Sequence, residues 1–239
     1  MDPRISIVIP AFNEERHIAA CLEAFTRQTI AEPFEVIVVD NASTDRTAEV
    51  AGYFADRLTL QIIREPKKGR GAARAKGFAS ARGEIIFSTD ADTLVPPDWI
   101  TSFSGDITGG RFVAIAGIGK VKDSGWWTNV VVSTCHPISL RICRMVIGYF
   151  ILNGFSFAVR RDAYFASGGF DPDFDGQEDV DLSKRVAKIG KILFRTDIPV
   201  TMSGRRFQRG LLRGLFEYLY AYWQQMARGN TEHRLPDTR

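Results

Sequence analysis

Between residues 5 and 92 one pattern recurs: a short, continuously apolar run, a polar turn, then a stretch with helical spacing. The runs cover 5–10, 34–39, 58–64 and 84–88. Runs of this length that are apolar at every position suit strands buried on both faces, as in a parallel sheet covered by helices on each side. Between them lie three helical patterns. Residues 13–28 place Ile18, Leu22 and Phe25 on one face, with Asn13 available as a cap. Residues 43–54 start at Ser43 or Thr44. Residues 71–81 are rich in alanine. Right-handed strand–helix–strand connections then predict an α/β fold, doubly wound and Rossmann-like, with a mixed, mostly parallel sheet.

The second half is less regular. Residues 112–121 read as one strand containing two glycines, and 126–150 as an apolar stretch with scattered basic residues, either two helices or a helix and a loop. Residues 156–159 and 191–194 read as short strands. Residues 178–189 form a helix stopped by Gly190, with Leu182, Val186 and Ile189 as its buried stripe and Asp179 on the same face. Residues 210–229 form an amphipathic helix, and 230–239 a disordered tail.

Composition narrows the function classes. The chain of 239 residues is 45% hydrophobic and 25% charged, enough to bury a core without metal or disulfides. A net charge of +3 gives no footprint for nucleic acid. Cys21, Cys135 and Cys143 are odd in number and lack CxxC spacing, so they read as small buried hydrophobes. The first apolar run is too short for a signal peptide, and no uninterrupted apolar run approaches the roughly 18 residues of a bilayer span. A cytoplasmic location is expected, with peripheral contact at the inner face of the membrane left open.

Ligands of doubly wound sheets bind at the carboxyl ends of the strands. Three polar clusters fall there: Asn13-Glu14, Asp40-Asn41 and Asp90-Ala91-Asp92. Each alone also fits a turn residue or helix cap. Neither GxGxxG nor GxxxxGK[ST] is present, which argues against a dinucleotide cofactor and a P-loop. A diphosphate here needs a cation, and two carboxylates one residue apart suit Mg²⁺ or Mn²⁺.

These segments carry a resemblance. Ser-Ile-Val-Ile-Pro-Ala-Phe-Asn-Glu-Glu from Ser6 and Val-Ile-Val-Val-Asp-Asn-Ala-Ser-Thr-Asp-Arg-Thr from Val36 are similar to the start of inverting family 2 glycosyltransferases of the GT-A fold. Asp90-Ala91-Asp92 resembles their DxD motif. Gly-Gly-Phe-Asp from Gly168, with Gln-Glu-Asp-Val-Asp-Leu-Ser from Gln177, resembles their acceptor-side motif. The resemblance implies a GT-A domain over 1–204, with a nucleotide-binding half at 1–110 and an acceptor-binding half at 111–204. It implies that Pro10, Ala11, Phe12 and Glu14 line a nucleoside pocket and that Asp40 accepts from base or ribose. Arg74 is implied as a nucleotide or diphosphate contact, Asp90 and Ala91 lie at the ribose, and Asp92 ligates the metal. Asp179 is the implied base and Glu178 orients the acceptor or the base.

The donor is then a nucleotide sugar, UDP-linked in preference to GDP-linked. The acceptor is a lipid-linked molecule, a glycan or a small molecule. No histidine follows the last strand, where many metal-dependent members carry one. Ser-Gly-Arg-Arg from Ser203 offers instead a basic clamp, through Arg206 or Arg205, for the diphosphate. The 210–229 helix, preceded by basic residues, suits core packing, a homodimer or anionic lipid. Trp126 and Trp127 suit the core, an acceptor platform or a membrane edge. Two other readings of the chain are a non-catalytic nucleotide-sugar-binding module and a sugar nucleotidyltransferase. The latter lacks the expected Gly-rich basic loop after the first strand.

Overall fold

The structure is a computed structural model that describes residues 3–122, 126–174 and 177–205. The 210–229 helix, the 230–239 tail, Arg206 and the side chains of Trp126 and Trp127 lie outside the described residues.

The chain runs β1 (Ile5–Ala11), α1 (Ile18–Phe25), β2 (Phe34–Asp40), α2 (Thr47–Gly52), β3 (Leu60–Arg64), α3 (Arg70–Ser80), β4 (Ile85–Ser88), β5 (Thr93–Leu94) and α4 (Trp99–Thr108). It continues through β6 (Ala114–Ala116), β7 (Gly119–Lys122), α5 (Trp126–Ile147), β8 (Phe157–Arg160), α6 (Arg161–Ala166), α7 (Glu178–Ile189), β9 (Ile192–Phe194) and β10 (Val200–Ser203). A seven-stranded sheet has the order β3-β2-β1-β4-β8-β6-β9, and β8 alone runs against both its neighbours. This is the mixed, mostly parallel sheet expected from the apolar runs.

Alternation along β1 divides the core. Ile5, Ile7 and Ile9 pack on one face with α1 and α4, whereas Val8 packs on the other with α3 and α7. Two helices without a clear sequence signal, α4 and α6, complete the covering. In α4 a wholly buried Trp99 donates from Nε1 to Ser156 Oγ at 3.1 Å.

Five local expectations are corrected. Asn13 does not cap α1, which begins five residues later. Asn13 has φ 54° and accepts from the Thr44 amide instead. Neither Ser43 nor Thr44 caps α2. Arg46 stands at the cap position, and Asp45 Oδ1, one residue earlier, accepts from the Thr47 amide at 3.0 Å. The strand expected over 112–121 is two strands in two sheets, with β7 in a small second sheet ordered β5-β10-β7. The bend falls at Gly117, where a Cβ would lie 2.2 Å from Ser156 Oγ. Finally, Ile189 is 45% exposed, so the buried stripe of α7 is Leu182 and Val186. Only Cys21 of the three cysteines is buried; Cys135 is exposed on α5.

Candidate active site

The loops after β1 and β2 are fastened to each other by backbone amides. Asn13 N donates to Ser43 Oγ at 3.0 Å, Glu14 N to Thr47 Oγ1 at 2.7 Å and Glu15 N to Asp45 Oδ2 at 3.1 Å. In return Arg46 N donates to Glu15 Oε2 at 3.1 Å. Two residues here hold left-handed backbone, Asn13 and Ala42 (φ 59°), and a third, Gln177 (φ 60°), precedes α7. Such backbone persists only where its surroundings fix it, and it gathers at functional sites. Asp40, at the end of β2, accepts from the Ser43 amide at 3.1 Å. Asn41 donates to the Glu65 and Lys67 carbonyls and accepts from Gly69 N, so it shapes the loop leading into α3.

Ala11 and Ala91 are both 2% exposed and belong to the core, so only their backbone faces the edge of the sheet. Pro10 and Phe12 are half-buried, and the Lys68 ammonium stands 5.1 Å from the centre of the Phe12 ring. This stretch is the wall sequence reasoning assigned to a nucleoside.

The acidic residues after β4 enter a ladder of alternating charge. Buried Arg74, from α3, donates through Nη2 to Asp90 Oδ1 at 2.7 Å, through Nη1 to buried Glu178 and through Nε to Ser88 Oγ. Arg205 donates to both oxygens of buried Glu14, at 2.6 and 3.1 Å, and its Nη2 lies 2.8 Å from Asp92 Oδ2. Thus Asp92 and Glu14 share one guanidinium, while Asp90 and Glu178 share another. Burial raises the Asp92 pKa, reinforced by the negative charge of Asp90; Arg205 opposes the rise.

Asp179 begins α7 beside Glu178. Its Oδ2 accepts from Gly154 N at 3.0 Å and its Oδ1 from Val180 N at 2.9 Å. Burial, then the charge of Glu178, pushes the Asp179 carboxyl up to about 6, against Arg74 and the two amides. A carboxylate in that range is poised to take a proton near neutral pH. Glu178 is locked to Arg74 and 3% exposed, so Arg74 joins the start of α7 to Asp90.

Sequence reasoning missed Gly154. A Cβ there would lie 2.4 Å from Arg74 Nη2, so only glycine lets the guanidinium lie against this backbone. The Asn153-Gly154 pair was the available signal, a turn dipeptide ahead of a strand. Of the two arginines offered as a clamp, Arg205 is the one described, and it rests on carboxylates.

Among the described residues no three His, Cys, Asp or Glu side chains converge as a ready metal cluster. The acidic edge of Glu14, Asp90 and Asp92 nevertheless fits a cation, because it already gathers the guanidinium of Arg205. A divalent ion here would have Asp92 as protein ligand and take its remaining oxygens from a ligand and water.

Comparison with known proteins bears on this geometry. The model of the family described as Glycosyl transferase family 2 matches residues 6–165. The chain is 36% identical over 120 residues to the glycosyltransferase AglE of Haloferax volcanii, covering 46% of this chain and 39% of that one. It is 31% identical over 142 residues to an undecaprenyl-phosphate 4-deoxy-4-formamido-L-arabinose transferase of Pseudomonas aeruginosa, covering 54% of this chain and 40% of the relative. The chain therefore spans about two fifths of these relatives' length. The mannosyltransferase PcManGT of Pyrobaculum calidifontis, solved with GDP-Man and Mn²⁺, has a similar fold. Its TM-score is 0.73 at 23% identity, with 100% of this chain and 67% of that one covered.

Proposed function

The chain belongs to glycosyl transferase family 2, and from that premise we propose that it transfers a sugar, with inversion, from a nucleotide sugar to an acceptor hydroxyl. The observation that carries this reading is the Arg74 bridge. It ties the Asp90 end of the sheet to the start of α7, so the DxD segment and Asp179 belong to one constellation.

In the proposed reaction Asp179 accepts the acceptor proton as the acceptor oxygen forms its bond to the anomeric carbon. The bond from that carbon to the donor phosphate oxygen breaks on the opposite face, and the nucleoside diphosphate leaves. One displacement inverts the anomeric configuration. Pro10, Ala11, Phe12 and Asp40 bind the nucleoside, and Asp90 the ribose. A divalent cation, Mn²⁺ or Mg²⁺, would be held by Asp92 and would neutralise charge on the departing diphosphate. Arg205 holds the place of that charge and is the residue, together with Arg206, proposed to meet the diphosphate.

UDP- and GDP-linked donors both remain within this reading, with UDP preferred. The printed names of relatives that act on undecaprenyl phosphate and dolichol phosphate favour a lipid-linked acceptor. A thermal-shift screen of nucleotide sugars with and without Mn²⁺ tests the proposal. One donor should raise the melting temperature more than its free sugar does, and more with Mn²⁺ than without. No shift with any nucleotide sugar would overturn it.

A further inference from the structure

Helix α5 carries an apolar stripe on the face turned away from the protein. Pro137 and Leu140 are buried against the domain. On the opposite side Ile138 (48% exposed), Ile142 (51%), Met145 (79%) and Val146 (71%) follow one another at helical spacing, with exposed Cys135 a turn earlier. A helix with both faces apolar, only one of them seated on its own domain, leaves the other to be covered.

Charge decides what covers it. Residues 111–160 contain one acid, Asp123, against six basic residues, Arg111, Lys120, Lys122, Arg141, Arg144 and Arg160. The whole chain, by contrast, holds 28 acids against 31 bases. Arg141 and Arg144 are exposed one turn after buried Pro137 and Leu140, at the edge where α5 meets the domain, their guanidinium carbons 5.6 Å from the Phe194 ring centre and 4.7 Å from the Phe150 ring centre. Lys120 and Lys122 are exposed on β7, against which α5 packs. A second copy seated on this stripe would set arginine against arginine. A surface of anionic lipid headgroups over acyl chains satisfies both the cations and the stripe.

By length and composition α5 could also cross a bilayer. Buried Pro137 and Leu140 and the two arginines held on Phe150 and Phe194 tie it instead to the surface of the domain. We infer that α5 is a docking helix that lies in the headgroup region of an anionic membrane, with Ile138, Ile142, Met145 and Val146 inserted. From the end of α5 the chain runs six residues to Gly154, whose amide holds Asp179. Docking would therefore set the proposed base close to the membrane surface.

The test is co-sedimentation of the full chain with vesicles of phosphatidylcholine alone and of phosphatidylcholine with phosphatidylglycerol. No donor or acceptor is present, so the result stands apart from the transferase reading. The wild-type chain should sediment with the anionic vesicles and progressively less as salt rises. Ile142→Glu with Met145→Glu should weaken that binding on the order of tenfold or more. Arg141→Gln with Arg144→Gln should weaken it about 25-fold, at about a factor of five per charge. Far-ultraviolet circular dichroism checks that the variants fold, and Ile142→Leu with Met145→Leu should bind as the wild type does. Wild-type protein left in the supernatant of both vesicle sets would overturn the inference. So would a Glu double variant that binds unchanged, or one whose only effect is to dissociate a dimer.

Discussion

The ends of β1, β2 and β4 and the segment from β6 to α7 contribute to one site by different means. On the first side, neighbouring loops support each other through several backbone-to-side-chain hydrogen bonds, so Glu14 and Asp40 stand on a redundant frame. On the second, position depends on single residues. Asp179 is held across the chain by one amide, that of Gly154, and Arg74 lies in the space Gly154 leaves open. Sensitivity to substitution should therefore concentrate on the second side. Loss of one tie in a redundant frame costs little, whereas loss of a unique tie exposes a buried charge.

Substitutions can break or sharpen that contrast. The largest effect is expected at Arg74, wholly buried between Glu178 and Asp90. Arg74→Met leaves Glu178 buried and unpaired, and should lower the unfolding free energy by about 3–5 kcal/mol in urea titration. A loss below about 1 kcal/mol would mean that Glu178 finds another partner. Gly154→Ala comes next. Its Cβ must displace the Arg74 guanidinium, at about 1–3 kcal/mol of stability, and transfer should fall further than stability alone explains because the hold on Asp179 shifts. On the redundant side, Ala42→Gly relieves a left-handed alanine and should change stability by no more than about 1 kcal/mol, toward greater stability, with nucleotide binding unchanged. A large loss at Ala42 would remove the contrast between the two sides.

The same contrast explains how far the sequence could be read. The parallel strands announced themselves because each is apolar at every position, and α7 lies over the residues expected because Gly190 stops it. Acids at the ends of β1, β2 and β4 were legible because a strand end fixes where they point. The split of 112–121 into β6 and β7 was not, since the bend arises from contact between Gly117 and Ser156, 39 positions later. Helix α4 was hidden by its Thr, Ser and Gly residues, and is secured by Trp99 reaching Ser156. The pairing of Arg205 with Glu14 spans 191 positions, and no local pattern encodes it. Arg74 was seen as a contact for a ligand. The structure adds what no local pattern encodes, its guanidinium bonded to Ser88, Asp90 and Glu178.

The central claim is that Asp179 serves as a base in a site whose donor half stands without it. Asp179→Asn, nearly the same size, tests it in one comparison: the rate of sugar transfer against the dissociation constant for the nucleotide, measured on the same preparation. Transfer should fall by about 10²–10⁴-fold while nucleotide affinity stays close to the wild-type value. Equal losses in both, or transfer that survives the substitution, would contradict it.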